Sequence, residues 1–164
     1  MTNRIKVLGI NIDPLTMRET VDTVEQYVLG KRALHLMGVN ADKINQCHTD
    51  EKIKKIVNDS GIINADGASV VLASKFLGTP VPERVAGIDL MQSLLELSNN
   101  KGYSVYFFGA KEEVLQDMLK AFKNDYPNLI VVGHRNGYFS ADDEQDIQED
   151  IRKKNPDFVF VGIT

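Results

Sequence analysis

Two short segments carry the side chains best suited to chemistry. In SGIINADGASVV, residues 60–71, an apolar run gives way to Asn64, and Asp66 with Gly67 stands where one buried element stops and another begins. A carboxylate there, beside apolar Ile63, Ala65 and Val70, is a candidate general base towards a hydroxyl, in a setting that would raise its pKa. The plainer reading makes Asp66 the N-cap of the helix that starts in ASVVLAS. In TPVPERVAGIDL, two prolines stiffen a loop that presents Arg84, with Gly87 and Asp89 following at a helix start. A planar guanidinium fits the oxygens of a phosphate or diphosphate. The alternative is a surface ion pair with Glu83 or Asp89, worth under about 1 kcal/mol.

Other polar or small residues also follow apolar runs. Asn40 follows HLMGV, with Asp42 close behind; Gly109 and Ala110 follow VYFF; Asn136, Gly137 and Tyr138 follow LIVVGHR. If those runs are parallel strands, these positions lie along one sheet edge, where α/β proteins bind ligands. The turn at Gly109 leads into a helix whose first N–H groups suit a phosphate, although neither a full dinucleotide fingerprint nor a Walker lysine pattern is present. Each position has a structural alternative: Asn40 and Asp42 as caps for ADKINQ, Asn136–Gly137 as a turn. His35 reads as a core or cross-strand residue. Cys47 and His48 are adjacent on a helix, face different ways, and make a poor catalytic pair.

Positioning these residues requires an α/β domain. Strand-like runs (RIKVLGI, ALHLMGV, GIINA, YSVYFFG, LIVVGHR, DFVFVGI) alternate with segments of helical period, and most are apolar on both faces, which implies a largely parallel, buried sheet. Thr16 with Glu19, and Ser140 with Asp143, read as capping boxes; ADKINQCHTDEKIKKIVNDS reads as one or two helices broken near His48 and Thr49, and ASVVLASKFLG as a mostly buried helix. The 164 residues suit a single domain, 1–164. A net charge of -4 argues against nucleic acid as the main partner. One cysteine and three scattered histidines offer no metal site, and no cofactor is expected. The apolar runs are short of a membrane span, and the N-terminus lacks the features of a signal peptide, so a cytoplasmic location is expected. The chain ends at Thr164 on a strand that would normally feed a loop, so a C-terminally truncated domain is expected.

Taken in order, VLGINID, VNADKI, NADGASVV, PERVAGIDL, YFFGAKEEV, GHRNGYF and FVFVGIT resemble the WecG/TagA/CpsF family of bacterial glycosyltransferases over nearly the whole chain, most closely its N-acetylmannosaminyltransferase branch. The resemblance implies a Rossmann-like three-layer sandwich and metal-independent, inverting transfer of N-acetylmannosamine from a UDP sugar to N-acetylglucosamine on undecaprenyl diphosphate, in building wall teichoic acid linkage units. It implies Asp66 as the base, Arg84 as the group that neutralises the diphosphate, and Asn40 as a sugar contact, with Asp42, Gly67, Asp89, Gly109, Ala110, Asn136, Gly137 and Tyr138 beside the substrates. Another UDP sugar, such as UDP-N-acetylmannosaminuronic acid, is compatible with the same residues. So is a non-catalytic nucleotide-binding module. Relatives often place a hydroxyl residue shortly before the Asn, where this chain has Met37 to Val39. They also continue into a further loop and a basic tail that docks at the cytoplasmic membrane face. Without these, weak or absent turnover is expected, with self-association as one way to cover exposed apolar surface.

Overall fold

The computed structural model describes residues 3–163, which fall into two compact units divided between Leu90 and Met91. Thr164, which ends the FVFVGIT segment, lies outside the described residues.

In the first unit, RIKVLGI does not form one strand. Strands β1 (Ile5–Val7) and β2 (Ile10–Ile12) pair antiparallel, with Val7 opposite Ile10. The turn between them holds Leu8 at φ 49° and Gly9 at φ 82°. Two consecutive left-handed residues give the tight hairpin whose twist matches that of its strands. Helix α1 (Met17–Leu29) begins at the expected Thr16–Glu19 capping box and ends at Gly30. Strand β3 (Leu36–Val39) pairs in parallel with β4 (Ile62–Ala65), Val39 opposite Ala65. Between them lie helices α2 (Ala41–Thr49) and α3 (Glu51–Asn58). Asp50 ends the first and caps the second, its Oδ1 accepting the N–H groups of Lys52 (2.7 Å) and Ile53 (3.2 Å). Helix α4 (Ala68–Phe76) follows β4.

One buried cluster holds this unit together. Val7, Ile10 and Ile12 of the hairpin meet Val39, Ile63 and Ala65 of the parallel pair, with Ile44, Cys47, Val57, Val70 and Val81 from the helices and loops. Asp13 closes the open side of β4 much as a strand residue would. Its N–H donates to the Ile63 carbonyl (2.8 Å), and its buried Oδ2 accepts the Ile63 N–H (2.8 Å). Arg4 neutralises that carboxylate, Nε to Oδ1 at 3.1 Å, while its Nη2 donates to the carbonyls of Ser60 and Gly61. Helix α4 departs from the mostly buried helix expected of it: Val70 and Ser74 face inward, but Leu72 and Phe76 are exposed. It packs on β1 and β4 with one side only, so its apolar composition exceeds what that side can bury.

Helix α5 (Gly87–Lys101) runs through the division, and the second unit continues with β5 (Ser104–Gly109), α6 (Glu112–Asp125), β6 (Ile130–Arg135), a 3-10 turn (Ala141–Asp143), α7 (Glu144–Lys154) and β7 (Phe158–Gly162). The strands form a parallel ladder in the order β6-β5-β7. The Ser140–Asp143 capping box forms as its spacing predicts. Only the central strand of the three is buried along most of its length. Ile130, Val131, Val159 and Val161, on the flanking strands, are exposed, contrary to the expectation of burial on both faces. Both units are mixed α/β with parallel strand pairs, consistent with a Rossmann-like class. Among the described residues no helix is long and apolar enough to cross a membrane.

Candidate active site

The first unit brings Asn40, Asp66, Gly67 and Arg84 together at the C-terminal ends of β3 and β4. The register places Asn40 and Asp66 side by side, one residue past the paired Val39 and Ala65, and the Val39 carbonyl accepts the N–H groups of both Asp66 (2.9 Å) and Gly67 (3.2 Å). Two glycines make room. A Cβ on Gly67 would lie 3.1 Å from the Asn40 Cα, and a Cβ on Gly38 would lie 3.3 Å from Asp66 Oδ2. Gly38 therefore lets the Asp66 side chain lie back over β3. A glycine inside a strand-like run is a recognised sign of such close approach, and the LMGV segment carries it.

Asp66 is not the N-cap of α4, as the plainer reading had it. Gly67 occupies that position and makes no side-chain cap. Instead Asp66 Oδ1 accepts the N–H of Gly87 (3.2 Å), the first residue of α5, so the carboxylate sits at the positive end of the neighbouring helix. Arg84 completes the arrangement. Its Nε donates to the Asp66 carbonyl (2.5 Å), and its Nη2 stands 3.9 Å from Asp66 Oδ1. The nearest charged and polar neighbours of the carboxylate are thus a helix N-terminus and a guanidinium, in place of a purely apolar surround. The Asp66 side chain is 28% exposed and that of Arg84 53%, so both reach solvent. The loop bearing Arg84 is tied back by Val85, whose N–H donates to the Ala65 carbonyl (2.9 Å).

The other first-unit candidates have local roles. Asn40 caps α2, its Oδ1 accepting the Lys43 N–H (2.9 Å). Asp42, exposed on the first turn of α2, accepts from Gln46 Nε2 (2.9 Å). Asp89 is exposed on the first turn of α5. His35, expected inside a strand, in the core or across from a partner strand, instead lies just before β3 and is exposed, with its Nδ1 3.1 Å from the Ser60 hydroxyl. Cys47 is buried and His48 exposed.

In the second unit, Gly109, Ala110, Asn136, Gly137 and Tyr138 gather at the C-terminal ends of β5 and β6. Gly109 has φ 140° and lies directly against the backbone of Gly162. Ala110, at φ 58°, donates to the Gly162 carbonyl (3.0 Å) and accepts the N–H of Gly137 (2.9 Å). Asn136 makes the expected turn, its Oδ1 accepting the Tyr138 N–H (3.0 Å), while its Nδ2 donates to Glu112 Oε2 (3.0 Å). That bond, with a second from Gln116, holds the Glu112 carboxyl below its ordinary range. An open hollow of about 920 Å³ lies here, between Ala110–Lys111 and Val114 on one side and Gly137–Ser140 on the other. Among the described residues no group of three or more His, Cys, Asp or Glu is placed to hold a metal ion.

The family model described as "Glycosyl transferase WecG/TagA/CpsF family" matches residues 5–164. Two relatives, from Staphylococcus aureus strains NCTC 8325 / PS 47 and COL, carry the name N-acetylglucosaminyldiphosphoundecaprenol N-acetyl-beta-D-mannosaminyltransferase. Each is 30% identical over 164 residues, covering 99% of this chain and 64% of the relative. The chain therefore spans less than two thirds of the length of these relatives.

Proposed function

Given that the chain belongs to the WecG/TagA/CpsF family of glycosyl transferases, we propose that it moves N-acetylmannosamine from UDP-N-acetylmannosamine to N-acetylglucosamine carried on undecaprenyl diphosphate, with inversion at the sugar carbon. The names of the relatives support the transferred sugar and the lipid acceptor. The observation that carries the chemistry is the pairing, at one strand end, of a solvent-reaching carboxylate with a guanidinium fixed beside it.

In this reading the acceptor hydroxyl oxygen attacks the anomeric carbon from the side opposite the diphosphate. The bond from carbon to the diphosphate oxygen breaks, and its electron pair leaves with UDP. Asp66 takes the hydroxyl proton. Gly87 and Arg84 both address Oδ1, which leaves Oδ2, over Gly38, to face the acceptor. Arg84 balances the negative charge that grows on the leaving diphosphate; with Nε engaged on the Asp66 carbonyl, its terminal nitrogens are the ones offered to phosphate oxygens. A lipid acceptor brings the work to a membrane surface, and donors of the cytoplasmic nucleotide-sugar type place it on the inner face, as one step in assembling wall teichoic acid.

Calorimetric titration with UDP, UMP and free N-acetylmannosamine tests the donor half. The expected result is binding of UDP well above UMP, with the difference lost in Arg84→Ala. Equal affinity for UDP and UMP, unaffected by Arg84→Ala, would overturn the assignment and favour a nucleotide-binding module without chemistry.

A further inference from the structure

The loop before α5 is held from a second direction, by a helix that carries none of the candidate site residues. Glu83 Oε1 accepts the backbone N–H of Met17, the first residue of α1. The Thr16 N–H and hydroxyl are already taken by Glu19 through the capping box, so Met17 offers the next unsatisfied donor of that helix start, at its positive end. Glu83 answers it from 66 residues away. The same turn of α1 is tied to β4 by a buried bond: Asn64 Nδ2 donates to Thr20 Oγ1 (3.0 Å), and the Thr20 hydroxyl donates to the Thr16 carbonyl (2.9 Å).

These bonds close a ring. From Asn64 on β4 it passes through Thr20 and Thr16 to Met17, across to Glu83, along one peptide to Arg84, and through the Arg84 Nε back to Asp66, two residues after Asn64. The loop 83–87 is thereby fixed at four points: Glu83 to α1, Arg84 to Asp66, Val85 to Ala65 and Gly87 to the Asp66 carboxylate. Only the first of these does not depend on the strand end itself. A long side chain that is 53% exposed reaches a defined place only if its Cα is held.

We propose that Glu83 is a positioning residue for Arg84: by gripping the N-terminus of α1 it sets where the guanidinium meets the diphosphate of the donor. The assignment rests on the diphosphate role given to Arg84 above. Its prediction is specific. Glu83 should matter only to ligands that have the second phosphate, and only while Arg84 is present. Glu83→Gln keeps an oxygen that can accept the Met17 N–H, whereas Glu83→Ala removes it.

The test is the ratio of UDP to UMP affinity, measured by calorimetry on the whole chain for the parent, Glu83→Ala, Glu83→Gln, Arg84→Ala and the Glu83→Ala/Arg84→Ala double variant, with thermal melts alongside. Loss of a charge-assisted contact such as that of Arg84 is expected to lower the ratio about 10- to 100-fold. Glu83→Ala is expected to lower it about 3- to 10-fold, Glu83→Gln to restore most of that loss, and Glu83→Ala to have no further effect once Arg84 is gone. A ratio unchanged in Glu83→Ala while Arg84→Ala lowers it would overturn the positioning role alone. So would an equal, multiplicative loss in both backgrounds, which would mark Glu83 as a stability residue acting independently of Arg84. A ratio near one in the parent, or one unaffected by Arg84→Ala, would instead overturn the diphosphate reading on which the proposal stands.

Discussion

Replacing Asp13 by Ala should destabilise the first unit by an amount that the geometry bounds. The Ile63 N–H, donated to Asp13 Oδ2 at 2.8 Å, belongs to a residue with no exposed surface, so after the change it has no partner within reach and little access to water. A buried donor left unsatisfied costs roughly 1–3 kcal/mol. Arg4 also loses its carboxylate, but its side chain is 29% exposed and keeps three backbone carbonyls, those of Asn58, Ser60 and Gly61, so that loss adds less than the several kcal/mol of a fully buried pair. The sum is about 2–4 kcal/mol, or roughly 5–15 °C in melting temperature for a chain of this size. Asp13→Asn keeps an acceptor for Ile63 and gives up only the charge, so about 1 kcal/mol is expected. Urea denaturation with hydrogen exchange read at the Ile63 amide distinguishes the cases: Ala should lower both stability and protection of that amide, Asn much less. A change below about 0.5 kcal/mol for Asp13→Ala, or equal losses for the two variants, would refute the idea that Asp13 serves as a surrogate strand residue on the edge of β4.

Three further outcomes follow from the same kind of reasoning. Gly109→Ala should strongly destabilise the second unit, because the residue has φ 140° and an added Cβ would collide with the Gly162 backbone; circular dichroism melts showing a stable variant would contradict the turn described. Gly67→Ala should weaken nucleotide binding more than its cost in stability implies, since the new Cβ meets Asn40 at 3.1 Å and pushes the two strand ends apart; unchanged UDP affinity would show that their spacing is not critical. Burial, helped by a hydrogen bond to Asp150, pushes the Tyr106 hydroxyl up to about 12 from an ordinary 10. Because the raised value belongs to the folded state, its contribution is complete below pH 10 and is lost as pH rises towards 12. Stability against urea should fall across that window, and Tyr106→Phe should flatten the fall; an unchanged alkaline slope would argue against it.

Local rules and strand-end logic made much of the chain legible. Both capping boxes formed because Ser or Thr followed by Glu or Asp at the right spacing satisfies helix N–H groups whatever the tertiary context. The helix break came at Asp50, close to the expected His48 and Thr49, where one side chain caps the next helix. Asp66 and Arg84 came together because both flank the end of one parallel strand. What stayed hidden depended on long-range partners. Nothing in VLGI shows that Leu8 turns at positive φ, since an apolar run with one glycine reads equally as a strand. The Gly87 N–H reaches the Asp66 carboxylate only because the loop from residue 77 onward folds back onto β4. The same fold-back brings Glu83 to α1, a contact with no signature near either residue. Gly38 did carry a signal, a glycine within a strand-like run, but its meaning depends on the Asp66 side chain that lies over it.

The most direct measurement of the central claim is transfer of radiolabelled N-acetylmannosamine from its UDP sugar to a lipid-diphosphate N-acetylglucosamine acceptor, with UDP affinity determined in parallel for the parent and Asp66→Asn. If Asp66 removes the acceptor proton, the Asn variant should bind UDP within about threefold of the parent, yet lose roughly 100-fold or more in turnover. Turnover preserved in Asp66→Asn, beside a parent that transfers the label, would contradict the assignment of that carboxylate as the base.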